Sequence, residues 1–122
     1  MAPVHPRIGV EYRQNTAVAT FTDEKILEEK DIQAIADSIM SLVDEEQVNN
    51  IVLDFSNVSF LSSAVLGLLI RLLKKVSENG GKLALCNISA KIHDIFKITR
   101  LTKVFSIHPD IDQALESMKN QQ

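Results

Sequence analysis

Apolar and polar positions change period several times along the chain, and each change marks an element. Ile8 to Tyr12 and Thr16 to Phe21 are short β-prone runs around Gln14-Asn15, a pattern that predicts an opening hairpin. From Asp31 the spacing becomes helical. Ile32, Ile35, Ala36, Ile39, Met40 and Val43 share one face of an amphipathic helix that ends in the acidic patch Asp44-Glu45-Glu46. Asn50-Ile51-Val52-Leu53-Asp54-Phe55 is a compact apolar strand, of the kind covered on both faces in an α/β sheet. A second helix is predicted from about Ser63 to Glu78. Asn79-Gly80-Gly81 closes it, because glycine takes the left-handed conformation of a helix stop at little cost.

Lys82-Leu83-Ala84-Leu85-Cys86-Asn87 reads as the next strand, and Ser89 caps a helix holding Ile92, Ile95, Phe96 and, at its end, Ile98. Val104-Phe105-Ser106-Ile107 is a last short strand. Pro109-Asp110 opens a final helix with Gln113 at capping-box spacing, and Asn120-Gln121-Gln122 is expected to fray. The alternation predicts an α/β fold, with crossover helices stacked against the sheet. Such sheets expose function at the C-terminal ends of their strands. The loops Thr22 to Lys30, Ser56 to Ser62 and Asn87 to Ala90 each follow a strand. They are therefore expected together, around the start of the Ser63 helix.

Composition narrows the function classes. A chain of 122 residues with 45% hydrophobic content can bury one sizeable core without disulfides or metal. The net charge of −3 is too small and of the wrong sign for a nucleic-acid footprint, and Arg71, Lys74 and Lys75 are balanced by acids elsewhere, so no direct nucleic-acid partner is expected. Cys86 is the only cysteine and lies in an apolar strand, where it reads as a small core residue; a reducing cytoplasm fits. Met1 to Pro6 lacks the basic and apolar regions of a signal peptide, and the longest apolar run, Ala64 to Ile70, is too short for a bilayer. The expectation is a cytoplasmic chain with no membrane insertion.

Enzymatic chemistry needs paired carboxylates, a nucleophile with its base, or a phosphate loop, and none has convincing spacing. Nothing in the sequence links Ser62 or Ser63 to His93 or His108. His5, His93 and His108 are too scattered for a metal set. No enzyme activity, cofactor or metal is expected.

The segment from Asp54 to Ile70 carries the most chemistry, because it places the adjacent hydroxyls of Ser62 and Ser63 where an apolar strand gives way to an apolar helix. Helix N-termini carry unpaired N–H groups and the positive end of the macrodipole. A serine there can cap the helix or become a regulated anionic site, and the residues leave both roles open. Asp54, near its strand's C-terminal end, either pairs locally or stands beside this turn. Leu66, Leu68, Leu69 and Ile70 read chiefly as core, in a strip that mixes core and interface positions toward the helix start.

Phe60-Leu61-Ser62-Ser63-Ala64-Val65-Leu66-Gly67 resembles the phosphorylation-site motif of the STAS domain in bacterial anti-sigma factor antagonists. There an apolar strand and an aspartate-serine-serine-glycine-leucine-glycine turn open the second helix. Aligned without gaps, Ser63 falls on the family's phosphorylated serine, Ser62 replaces its aspartate and Val65 its first glycine. Gly80-Gly81-Lys82 and the stretch from Ile92 to Val104, through Phe96, Thr99-Arg100-Leu101 and Lys103, are similar to the family's later helix and strand.

The resemblance runs from about Ile8 to Ser117. It implies a single STAS-like domain over residues 8–118, between an N-terminal extension 1–7 and a tail 119–122, with a mixed sheet and helices chiefly on one face. It further implies partner switching: the unphosphorylated protein binds an anti-sigma factor, often a serine kinase, frees a sigma factor for transcription, and is released by phosphorylation of Ser63, with Ser62 a second candidate. A phosphatase and a homodimer are left open. The docking surface implied comprises Asp23, Glu24 and Lys25, the turn at Ser59, Ser62, Ser63 and Ala64, and Arg71. The alternative is a constitutive STAS scaffold or small-ligand sensor, consistent with the replacements at Ser62 and Val65.

Overall fold

Three central strands carry unbroken apolar runs and are buried on both faces, as parallel strands between helix layers must be. They are β2 (Thr16–Phe21), β4 (Asn50–Asp54) and β6 (Lys82–Cys86), and the computed structural model, which describes residues 7–13, 15–44 and 48–119, pairs them in parallel. β1 (Ile8–Arg13) joins β2 antiparallel, with Arg13 opposite Thr16, and β7 (Ser106–His108) joins β6 in parallel. The sheet order is β1-β2-β4-β6-β7. The opening hairpin is thus present, although Gln14 at its turn lies outside the described residues, as do His5, Glu45, Glu46 and the tail residues 120–122.

Alternation along each strand sorts side chains to two faces. Ala17, Ala19, Phe21, Ile51, Leu53, Leu83 and Leu85 face the main core, with α1 (Glu29–Asp44), α2 (Ser63–Glu78) and α3 (Ala90–Ile98) packed over them. Val18, Val52, Ala84 and Cys86 point the other way, where α4 (Ile111–Lys119) covers them with Ala114, Ile111, Leu115 and Met118. Three helices on one face and one on the other is the expected mixed-sheet architecture. Leu68, Leu69 and Leu72 anchor α2, and each buried side chain of that size contributes about 1.5–3 kcal/mol.

Local chemistry fixes the helix ends. The Ile92 N–H donates to Ser89 Oγ at 3.3 Å, and the Gln113 N–H to Asp110 Oδ1 at 2.8 Å, so both expected caps form. α2 stops in a Schellman turn: Gly80 takes φ +78°, its N–H bonds to Ser77 O, and the Gly81 N–H bonds to Val76 O. A Cβ on Gly81 would collide with the Asn49 carbonyl oxygen, so this turn also needs a bare backbone against the start of β4.

Two features differ from the sequence reading. The last strand begins two residues later than Val104, because the chain first makes a 3-10 turn at Leu101–Lys103 after Arg100 at φ +63°. The N–H groups of Val104 and Phe105 still bond back to Leu101 O, which holds them in the turn. Second, two-residue strands β3 (Lys25–Ile26) and β5 (Phe60–Leu61) pair in parallel within segments expected to be loops. Two residues are too few to show a hydrophobic period.

Candidate functional site

All four parallel strands point their C-terminal ends to one pole, and the three loops expected there do meet. Asp54 ties them underneath. It is buried and accepts hydrogen bonds from Thr20 Oγ1 at 3.2 Å, the Ser56 N–H at 3.0 Å and Asn87 Nδ2 at 2.9 Å, so one carboxylate links the ends of β2, β4 and β6. Asn87 stands at φ +57°, a conformation asparagine tolerates better than most residues, and this aims its amide at Asp54. Asp54 therefore pairs locally. Asn57 Nδ2 adds a bond to Phe21 O at 3.1 Å.

The small ladder of β3 and β5 then joins the two loop segments that the sequence reading expected to dock a partner. Glu24 O accepts the Ser59 N–H at 2.8 Å, the Phe60 N–H at 3.2 Å and the Ser59 hydroxyl at 3.4 Å, while Ile26 O accepts the Ser62 N–H at 2.9 Å. Asp23, Glu24 and Lys25 are thereby held beside Ser59 and the start of α2 mainly through backbone bonds. Arg7 fixes the same loop from the other side: Nη1 lies 3.2 Å from both Asp23 carboxylate oxygens and Nη2 lies 2.7 Å from Asp31 Oδ1. Sequence reasoning missed Arg7, because its partners lie 16 and 24 positions away.

The two serines part company. Ser62 is the N-cap by backbone, with φ −84° and ψ 163°, yet its side chain makes no cap bond, and its Oγ is buried without a hydrogen-bond partner. Ser63, the first residue of α2, is exposed, as is Ala64. Among the described residues no side chain makes a cap hydrogen bond to α2, and no acidic residue lies in its first turn. Val65 is buried in the core, so the replacement of glycine there faces inward. Arg71 is exposed two turns further along α2, outside the loop cluster.

Phe60 also belongs to this pole. It is partly exposed while its neighbour Leu61 is buried, and the Lys91 ammonium sits 3.8 Å from its ring centroid. The alternation of Phe60 with Leu61 was the available signal, but it spans only two residues.

Other polar candidates lie apart from the turn. His93 and His108 line a cavity of about 260 Å³ with Ile88, Ile107 and Pro109, and His108 Nε2 is 2.7 Å from Ser106 Oγ. Cys86 is buried under α4, and burial, with Asp54 and Asp110 nearby, pushes its thiol pKa up to about 12. Among the described residues, no three of His, Cys, Asp and Glu converge as a metal set, and no helix is long and apolar enough to cross a membrane.

Comparison with known proteins agrees with this geometry. The chain is 26% identical over 77 residues to the anti-sigma F factor antagonist of Paenibacillus polymyxa, which covers 63% of this chain and 66% of that protein, just under two thirds of its length. Its fold is similar to an anti-sigma-factor antagonist (STAS) domain protein from Planctomyces limnophilus, with TM-score 0.83 and 23% identity over 93% of this chain and 98% of that one. It is also similar to Bacillus SpoIIAA in its phosphorylated form, with TM-score 0.69 and 18% identity over 90% and 97% of the two chains. The unphosphorylated form of SpoIIAA gives TM-score 0.72 and 16% identity over 93% and 99%. The family model described as the STAS domain matches residues 11–114, and the chain belongs to the STAS domain family.

Proposed function

We propose that this chain is an anti-sigma factor antagonist that works by partner switching, with Ser63 as the switch. The observation that carries the reading is the exposure of Ser63 at the first residue of α2, beside a loop held to the same turn by backbone bonds. In the unphosphorylated state, Asp23, Glu24, Lys25, Ser59, Ser63 and Ala64 form a docking face for an anti-sigma factor, and Arg71 extends it along α2. The partner is a serine kinase that supplies the catalysis; this chain supplies its substrate hydroxyl within the domain over residues 8–118, in the cytoplasm, and a phosphatase resets it. Ser62 is the weaker acceptor, since its hydroxyl faces inward.

Phosphorylation adds about −1.5 to −2 charges at a helix end that tolerates them. A partner carboxylate does not tolerate them: two like charges about 4 Å apart at an effective dielectric near 20 repel by on the order of 4 kcal/mol. Half of that weakens binding roughly 30-fold. The test is calorimetric titration with the cognate anti-sigma factor. Ser63→Asp is expected to weaken binding by about tenfold or more, whereas Ser63→Ala stays within about twofold of the unmodified protein. Equal affinities for the two variants would remove Ser63 from the switch.

A second reading, a constitutive scaffold or small-ligand sensor, is favoured by a cavity of about 470 Å³ at the opposite pole, lined by Arg13, Asn15, Asn50, Asp112, Glu116 and Lys119 among others. Binding to the anti-sigma factor that is indifferent to Ser63 phosphorylation would select it.

A further inference from the structure

Among the described residues six large apolar side chains are exposed, and four of them, Phe60, Ile70, Ile98 and Val104, lie on α2, on α3 or on the short segments that adjoin them. α2 turns one flank to α1, since Lys75 Nζ lies 2.9 Å from Asp44 Oδ1 at the end of α1. Its other flank carries Ile70, Leu73 and Ser77 at i, i+3 and i+7, and Leu73 and Ser77 share a cavity of about 260 Å³ with Val104. α3 answers from the opposite side. Lys91 reaches the Phe60 ring, and Ile95 and Ile98 follow Lys91 on the same stripe at i+4 and i+7. α1 packs directly on α2, whereas α2 and α3 make little direct contact. The exposed apolar residues thus form a strip over α2 and α3, with Phe60 and Lys91 in contact at one end, Leu73, Ser77 and Val104 together at the other, and Ile70 and Ile98, 81% exposed, on the two stripes.

The segments that carry this strip are basic. Residues 60–108 hold eight Lys and Arg against two acids, Glu78 and Asp94, a net charge of +6 in a chain whose total is −3. Lys74, Lys91, Lys97, Arg100 and Lys103 are all exposed, and none forms an ion pair with an acid among the described residues. Isoleucines left in water on segments of such charge select a partner that is apolar along one stripe and negative beside it.

We propose that this strip docks an acidic amphipathic helix of a partner protein. Apolar stripes at i, i+3 or i+4 and i+7 on two helices offer spaced anchors to the apolar face of a third, and the unpaired lysines and arginines on the same segments complement acidic flanks. The proposal deepens the partner-docking reading and rests on it only for the partner being a protein; the state of Ser63 does not enter.

The test selects binders to the whole protein from a displayed random library of helical peptides about 14 residues long. The expected binders carry an i, i+3/i+4, i+7 apolar stripe flanked by Asp and Glu. Ile98→Asp, and separately Lys97→Glu with Arg100→Glu, each weaken them by about tenfold or more, with thermal unfolding unchanged because these side chains are exposed. No enrichment, binders without acidic bias, or binders indifferent to Ile98→Asp would overturn the proposal. So would sedimentation with phosphatidylglycerol vesicles, or self-association, that Ile98→Asp abolishes, since the strip would then serve a lipid surface or a second copy. An unphosphorylated Ser63 would leave all of these results unchanged.

Discussion

Asp54 is the residue on which the pole around Ser63 rests. Its carboxylate takes donors from three strand ends and has no replacement, so Asp54→Ala leaves buried donors unpaired as well as removing their bonds. A loss of about 2–4 kcal/mol is expected in urea unfolding at neutral pH, given about 1–3 kcal/mol for each buried group left unsatisfied. Hydrogen exchange should rise in the loops over residues 55–62 and 87–89 before it rises elsewhere. Cys86 illustrates the opposite case of a reactive group made inert. Its thiol pKa, pushed up to about 12 by burial first and by Asp54 and Asp110 second, keeps it protonated in the fold. The folded state therefore holds this proton where the unfolded chain, with a pKa near 9, releases it. That contribution is complete below about pH 9 and fades as pH rises toward 12. Iodoacetamide at pH 8 should label Cys86 only as fast as the protein opens, and full labelling within seconds in the absence of denaturant would contradict its burial.

At the scale of elements, α2 combines a core face with a low outer face beside Ser63. Gly67 lies one turn beyond Ser63, and a Cβ there would meet nothing within 4 Å. Nothing internal requires glycine, so Gly67→Ala should stabilise the domain by roughly 0.5–1 kcal/mol through helix propensity. If the bare backbone serves close approach of the partner, the same variant weakens docking while raising the unfolding midpoint. Thermal unfolding and titration on one sample separate the two effects.

The helices and long strands were legible in the sequence because each repeats its period over several turns or alternations; α2 begins and ends where its serine and its glycines said it would. β3 and β5 were not legible, since two paired residues carry no period and owe their pairing to loops 35 positions apart. Ile98 shows the same limit. Its spacing placed it with Ile92, Ile95 and Phe96, yet it is 81% exposed and, like the half-buried Ile95, lies on the stripe of Lys91, which reaches Phe60.

On the scale of the whole molecule, the sheet separates two poles and two faces. The C-terminal strand ends gather Asp54, the 23–25 loop and Ser63, while α4 is the one helix among the described residues that covers the far face of the sheet. The motif that pointed to this pole was readable because it is contiguous in sequence. The Arg7 clamp and the contact of Lys91 with Phe60 were not, because each unites residues from separate segments. The central claim is that Ser63 is a regulated phosphate acceptor, and site-resolved phosphopeptide mass spectrometry across Ser62 and Ser63, on protein from its native cells in growing and stressed cultures, tests it most directly. The account predicts phosphate on Ser63 whose occupancy changes between the two conditions, and two serines that stay unmodified in both would contradict it.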